Sequence, residues 1–141
     1  MRYRVVAVGR VRNAALRAAC DEYAERLRHY THVDEREVKD EARVLGAVPE
    51  GSRLVALTRT GDQWTSSQVA EWTGKWERDG RDVTFAIGAA DGLQDDVLRT
   101  AERVWSLSRL TFPHELARVL LYEQLYRAYT IRRGEPYHRG P

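Results

Sequence analysis

Cysteine is nearly missing from this chain of 141 residues: Cys20 is the only one. An internal disulfide is therefore excluded, and so is a zinc site built on several cysteines. Cys20 falls on the apolar side of an expected helix, where a thiol packs as a small hydrophobe. Lysine is also scarce. Only Lys39 and Lys75 interrupt a basic set that is otherwise arginine. No apolar run approaches the roughly 20 residues that cross a bilayer. The opening MRYRVVAVGR has a charged start, but its apolar stretch is short for a signal peptide and no small-residue cleavage site follows. The cytoplasm is the expected compartment, with no membrane partner. Excess charge is missing too. The net charge is +2, so the overall balance says little about partners.

What remains is a globular composition, 43% hydrophobic and 31% charged, of a length that suits one domain over residues 1–141. Charge is unevenly placed. Arg2, Arg4, Arg10, Arg12, Arg17, Arg26 and Arg28 crowd the first thirty residues, and Arg118, Arg127, Arg132, Arg133 and Arg139 the last segment. Arginine forks suit phosphate, so nucleic acid is one candidate partner.

Tyr3–Val8 reads as a buried strand ended by Gly9. Leu16, Ala19, Cys20, Tyr23, Ala24 and Leu27 recur at helical spacing behind Asn13 as N-cap. A weaker strand covers Val33–Val38. Residues 39–52 are polar and close on the turn signal Pro49-Glu50-Gly51-Ser52. Arg53–Thr58 is the next strand, broken by Thr60-Gly61-Asp62. Thr65 or Ser66 starts a helix that stops before Gly80. Asp82–Ile87 is a strand, Asp95–Arg103 a helix, Val104–Leu107 a short strand, and a long helix runs from His114 to about Arg132. The tail from Gly134 shows no periodicity. Strands alternating with helices predict an α/β fold with a mainly parallel sheet flanked by helices.

The last helix carries apolar residues around most of its circumference, from Leu116 to Ile131. A helix at the edge of one small domain needs a single stripe. A wider one calls for a further partner, and a second copy of the chain is the simplest. A fully internal helix is the alternative, hard to arrange near the end of so short a chain.

Motifs for chemistry are few. The loop after the third long strand reads Gly88-Ala89-Ala90-Asp91-Gly92. Alanine at 90 breaks the dinucleotide pattern, and no Gly-Lys-Ser/Thr follows to make a P-loop. Alone it is a structural turn. His29 and His32 lack a third metal ligand at zinc spacing, and His114 and His138 stand apart. Ser106 and Ser108 lie near His114 in sequence, which establishes no triad.

Three segments together carry more: FAIGAADGL (85–93), WSLSRLTFPHELARVLLYEQLYRAYTI (105–131) and RGEPYHRG (133–140). With YRVVAVGR at the start and EYAERL at 22–27, they resemble the bacterial RlmH family, SPOUT-class methyltransferases that modify a pseudouridine of large-subunit ribosomal RNA. The likeness covers nearly the whole chain. It implies an α/β fold with a deep C-terminal trefoil knot, an exception to ordinary topology. It implies S-adenosylmethionine as cofactor, held by Leu57 and Thr58, by Gly88, Ala89 and Gly92, and by Leu107, Ser108, Arg109, Leu110, Thr111 and Phe112. It implies a homodimer through the C-terminal helix, a ribosomal RNA partner contacted by the terminal arginines, and an active-site tail of Tyr137, His138 and Arg139. His138 or Tyr137 would accept or relay the proton leaving the pseudouridine nitrogen, and Arg139 would hold a phosphate or the developing charge.

Three departures from the family pattern stand out. Ala89 occupies a usual glycine position, costly if that position needs positive φ. The stretch between Val38 and Arg53 is shorter than usual, as if a helix were missing, and Thr58-Arg59-Thr60 replaces an acidic residue and an apolar pair. They leave open a knotted RNA-binding homodimer with altered substrate or lost activity. A dimeric binding module without methyl transfer is a third reading, disfavoured by the Pro136-Tyr137-His138-Arg139 tail.

Overall fold

The computed structural model describes residues 1–89 and 92–139, with 138 and 139 as backbone only. Five parallel strands form one sheet in the order β2-β1-β4-β3-β5. They are β1 (Arg2–Val8), β2 (His32–Val38), β3 (Arg53–Gln63), β4 (Val83–Ile87) and β5 (Arg103–Ser106). The helices are α1 (Ala14–Arg28), α2 (Ser66–Asp79), α3 (Asp95–Thr100) and α4 (His114–Arg132). No helix is long and apolar enough to cross a membrane among the described residues.

Alternation along the strands divides the core in two. Tyr3, Val5, Ala7, Val55, Val83, Phe85 and Ile87 face α1, α2 and α4. Val6, Val8, Leu54 and Ala86 face Val44 and Ala47, from the short turns Glu41–Arg43 and Leu45–Ala47, and Val97 of α3. The connections β1–β2 and β3–β4 step one way along the sheet. The connections β2–β3 and β4–β5 step the other way. One crossover hand then places the first pair on one face and the second pair on the other, and this is the observed division. Residues 39–52 thus cover the second face with two 3-10 turns in place of a helix.

Local signals set the boundaries. Asn13 Oδ1 accepts the Leu16 N–H at 3.0 Å. Thr65 and Gln68 form a reciprocal capping box, and Gly80 closes α2 at φ 78°. Three boundaries differ from expectation. Thr60-Gly61-Asp62 does not end β3. Leu57 and Asp62 both face Trp105, so the residues between them form a bulge and pairing resumes. Helix α3 ends at Thr100 rather than Arg103, because the Glu102 N–H is taken by the Leu54 carbonyl at 2.8 Å. The tail is not featureless: Pro136–Arg139 makes a 3-10 turn.

Helix α4 lies between α1 and α2 in the first core. Val119, Leu121, Tyr122, Leu125, Ala128 and Tyr129 are buried there. Much of its wide apolar face is therefore covered inside one chain, the arrangement that chain length had argued against. Leu116, Ala117 and Leu120 remain half-buried. Arg118 is fully buried. Its guanidinium donates to Glu37 at 2.6 Å and to the Gly9 carbonyl at 3.0 Å, and stands 3.4 Å from Glu35. Glu35 also accepts from Arg17 and Tyr122. Burial alone would raise the Glu35 carboxyl, but the hydrogen bonds from Arg17 and Tyr122 and the Arg118 charge outweigh it and hold it below its usual value. Cys20 is buried beside this network, and desolvation pushes its thiol up to about 11, as expected of a packing residue.

Truncating one member of a buried ion cluster strands its partners. Arg118→Met is expected to cost about 3–5 kcal/mol in urea unfolding. A depressed carboxylate stabilises the fold above its ordinary value and loses that contribution as pH falls. Stability should therefore decline below about pH 4.5, and Glu35→Gln should flatten that decline.

Candidate cofactor cleft and the C-terminal tail

The register brings the expected loops together. Leu57 lies opposite Ile87 on one side and Trp105 on the other. The chain segments that follow β3, β4 and β5 therefore leave the sheet side by side at its C-terminal edge. This is the edge where parallel α/β sheets hold ligands. From β5, residues 107–113 must reach α4, whose first residue, His114, sits against Gly9 at the end of β1. Strand β1 is three places from β5 in the sheet. At about 4.8 Å per place the segment spans roughly 14 Å, crossing the ends of β3 and β4. Leu57, Thr58, Gly88, Ala89, Gly92 and Leu107–Phe112 thus belong to neighbouring segments at one sheet edge, the candidate cleft. Ala90 and Asp91, between two of them, lie outside the described residues.

The loops are tied to one another. Ser106 Oγ lies 3.0 Å from the carbonyls of both Arg59 and Ser108 and donates its proton between them. Ser108 Oγ accepts the Leu110 N–H at 3.0 Å, so neither serine is poised as a nucleophile. A Cβ on Gly61 would stand 2.6 Å from the Val104 carbonyl oxygen, so the β3 bulge passes tightly against β5. Gly61 and Ser106 were read from sequence as a strand break and a failed triad member. Their tying role depends on contacts with distant parts of the chain, Gly61 with Val104 and Ser106 with Arg59, and had no local signal.

Gly88 and Ala89 separate cleanly. A Cβ on Gly88 would stand 2.5 Å from the Gly92 carbonyl carbon. The turn closes through Gly92 N–H to the Ala89 carbonyl at 2.9 Å, with Gly92 at φ 82°. Glycine is required at both positions. Ala89 is not at positive φ, and its methyl packs into the second core. The methyl at the position where the resemblance leads one to expect glycine packs toward the protein interior.

The tail is placed elsewhere. The Tyr137 hydroxyl donates to Glu123 at 2.8 Å, and its ring packs edge-on against Tyr126 and beneath Arg127. Glu123 is nine residues into α4, about 13 Å along its axis from His114. Within one chain Tyr137 does not join the cleft. Burial, the contact with Tyr23 and the hydrogen bond to Glu123 raise its pKa, so here it is a donor and not a base. The side chains of His138 and Arg139 lie outside the described residues. His29 and His32 line a depression at the opposite sheet edge with Arg28, Tyr30 and Glu77.

The sequence matches the family described as "Predicted SPOUT methyltransferase" over residues 1–138. The chain belongs to the SPOUT methyltransferase family. Among curated relatives it is 44% identical over 153 residues to "Ribosomal RNA large subunit methyltransferase H" of Anaeromyxobacter sp., covering 99% of this chain and 100% of that protein. The same name is borne by a Paraburkholderia phymatum protein, 40% identical over 155 residues, with 99% of both chains covered. Among solved structures, a "probable methylase family protein" from Haemophilus influenzae superposes with TM-score 0.64 at 9% identity, over 96% of this chain and 69% of that one. TrmJ from Z. mobilis superposes with TM-score 0.54 at 12% identity, over 92% and 70%. These two show the fold.

Gly88→Ala is expected to disrupt the turn, costing about 1–3 kcal/mol as strained packing and abolishing cofactor binding. Ala89→Gly should lower stability by about 0.5–1 kcal/mol through chain entropy without tightening cofactor binding. Calorimetric titration together with urea unfolding of both variants checks the pair.

Proposed function

We propose that this chain is an S-adenosylmethionine-dependent methyltransferase acting on a pseudouridine of large-subunit ribosomal RNA. The observation that carries the reading is the convergence of the three loops at one sheet edge, in a SPOUT-family chain matching relatives of that name along its full length. The residues present fit the cofactor. Gly88 leaves backbone with no side chain in the cleft, and Leu57, Leu107 and Leu110 offer apolar surface for an adenine. The cofactor supplies an electrophilic methyl group, so the protein chiefly aligns donor and acceptor. The crossing of residues 107–113 over the ends of β3 and β4, together with the tight passage at Gly61, supports a deep trefoil knot.

The wide face of α4, the half-buried Leu116, Ala117 and Leu120 and the 68% exposed Leu110 support a homodimer through this helix. A dimer also resolves the position of the tail. With Tyr137 held midway along α4, the tail of one copy serves the cleft of the other. Tyr137 then anchors the tail through Glu123, His138 accepts or relays the proton from the pseudouridine nitrogen, and Arg139 holds phosphate or developing charge. The lost-activity alternative leaned on Ala89 and the short 39–52 segment. An inward methyl and a covered second face leave it no specific support.

Cofactor at a hundred times its dissociation constant should stabilise the protein by roughly 2.7 kcal/mol. No shift in Tm at millimolar S-adenosylmethionine would sink the methyltransferase reading. Shared sites are tested by mixing. A Gly88→Ala protein and one truncated after Gly134 should each be inactive on large ribosomal subunits, and their mixture should recover about a quarter to a half of wild-type methyl transfer. Recovery of none would return the tail to its own chain.

A further inference from the structure

Resting on that reading, we infer that Arg10 and Arg12 form a preset phosphate clamp that seats the RNA strand beside the methyl-donor cleft. The two arginines are exposed, and neither side chain has an ion pair, hydrogen bond or aromatic partner among the described residues. The loop that carries them is unusually fixed. Between them Val11 is buried at 8% exposure. The Gly9 N–H donates to the Val38 carbonyl at 2.8 Å, and the Gly9 carbonyl accepts from the buried Arg118. The N–H groups of Arg12 and Asn13 both donate to Glu115 Oε1. These hydrogen bonds hold the Glu115 carboxyl below its usual value, that of Asn13 contributing most. Glu115 and Arg118 belong to the first turns of α4, directly after the segment that crosses the cleft. The same residues that start α4 thus fix the backbone that carries two free guanidinium groups at its rim.

The rest of the charge pattern agrees. Around the C-terminal sheet edge, Lys39, Arg59 and Arg109 are likewise exposed without an ion pair among the described residues. The acids there, among the described residues, include Asp62 on the β3 bulge, Asp40, which pairs with Arg43, and Glu41, Asp95 and Asp96 on the second-face side. At the opposite edge the cations are mostly engaged. Arg4 pairs with Asp34, Arg81 with Glu102, Arg132 with Glu77, and Arg53 with both Asp79 and Glu102. Four of the uncommitted guanidiniums, Arg10, Arg12, Arg59 and Arg109, thus gather at the C-terminal edge, while Arg36 on β2, Arg78 on α2 and Arg99 on α3 stand apart. Arginine forks held in place on a rigid loop suit the phosphates of a polynucleotide, and phosphate contacts fix register on a nucleic acid without reading its sequence.

The test compares Arg10→Gln/Arg12→Gln with Arg78→Gln/Arg99→Gln, which removes two exposed unpaired arginines far from the cleft. Binding to large ribosomal subunits, and to a single-stranded RNA of unrelated sequence, is measured between 50 and 200 mM salt as a stated condition. The clamp variant should lose about 1.4–1.8 from the log–log salt slope, two phosphates at roughly 0.7–0.9 each. KM for subunits should rise about tenfold with kcat within twofold, and the cofactor-induced Tm shift should be unchanged. Arg10→Lys/Arg12→Lys should keep most of the slope. A wild-type slope and KM in the clamp variant would overturn the inference, as would an equal loss in the distant pair or a wild type that binds neither RNA. If subunits are not methylated but the slope difference persists on the unrelated RNA, the proposed substrate falls and the clamp stands.

Discussion

The buried Arg118 guanidinium is the tie on which the arrangement depends. It reaches from α4 across the first face of the sheet to Glu37 and Glu35 on the edge strand β2, and to the Gly9 carbonyl at the end of β1. Arg17 and Tyr122 complete the set. Buried charges are costly unless fully compensated, so this cluster admits little sliding of α4 on the sheet. Fixing the start of α4 fixes the far end of the 107–113 crossing. The position of that crossing in turn sets how the 107–113 segment passes the ends of β3 and β4.

The division of labour between the sheet edges follows. The C-terminal edge gathers glycine turns, backbone groups and uncommitted cations. The N-terminal edge is closed by ion pairs and by capped helix ends. Helix α4 links the two, carrying Glu115 and Arg118 near the cleft and the aromatic seat of Tyr137 midway along. A tail seated there on its own chain, with the loops after β3, β4 and β5 about half a helix away, is the observation behind the proposed composite site between copies.

Much of this was legible in the residues. Strand and helix positions followed from period and caps: Asn13, Thr65 and Gly80 acted as their types dictate. The loop set was legible only through its resemblance to a family, because Gly88-Ala89-Ala90-Asp91-Gly92 matches no phosphate cradle. Other features were not legible because they are decided by distant contacts. Pattern alone read Gly61 as a strand break, whereas its bareness lets β3 pass against Val104. Helix α4 looked too apolar for one chain because neighbours on both flanks, α1 and α2, cannot be counted from its own sequence. Ala89 looked like an obstruction because a sequence does not say which way a methyl faces.

The aromatic residues are sorted by region. Trp64, Trp72, Trp76 and Trp105 form one continuous column on the β3, α2 and β5 side, with Trp64 stacked on Trp105 at 4.9 Å. Tyr23, Tyr30, Tyr126, Tyr129 and Tyr137 cluster along α1, α4 and the tail. Tyr3 joins the two groups, edge-on to Trp76 and to Tyr129, each at 6.4 Å. The indoles lie on the β5 side, with Trp105 two residues from Leu107, and most phenols lie where the tail is seated. Excitation of the tail-side phenols can therefore pass through Tyr3 to the indoles, and indole emission is a label-free report on the whole first face.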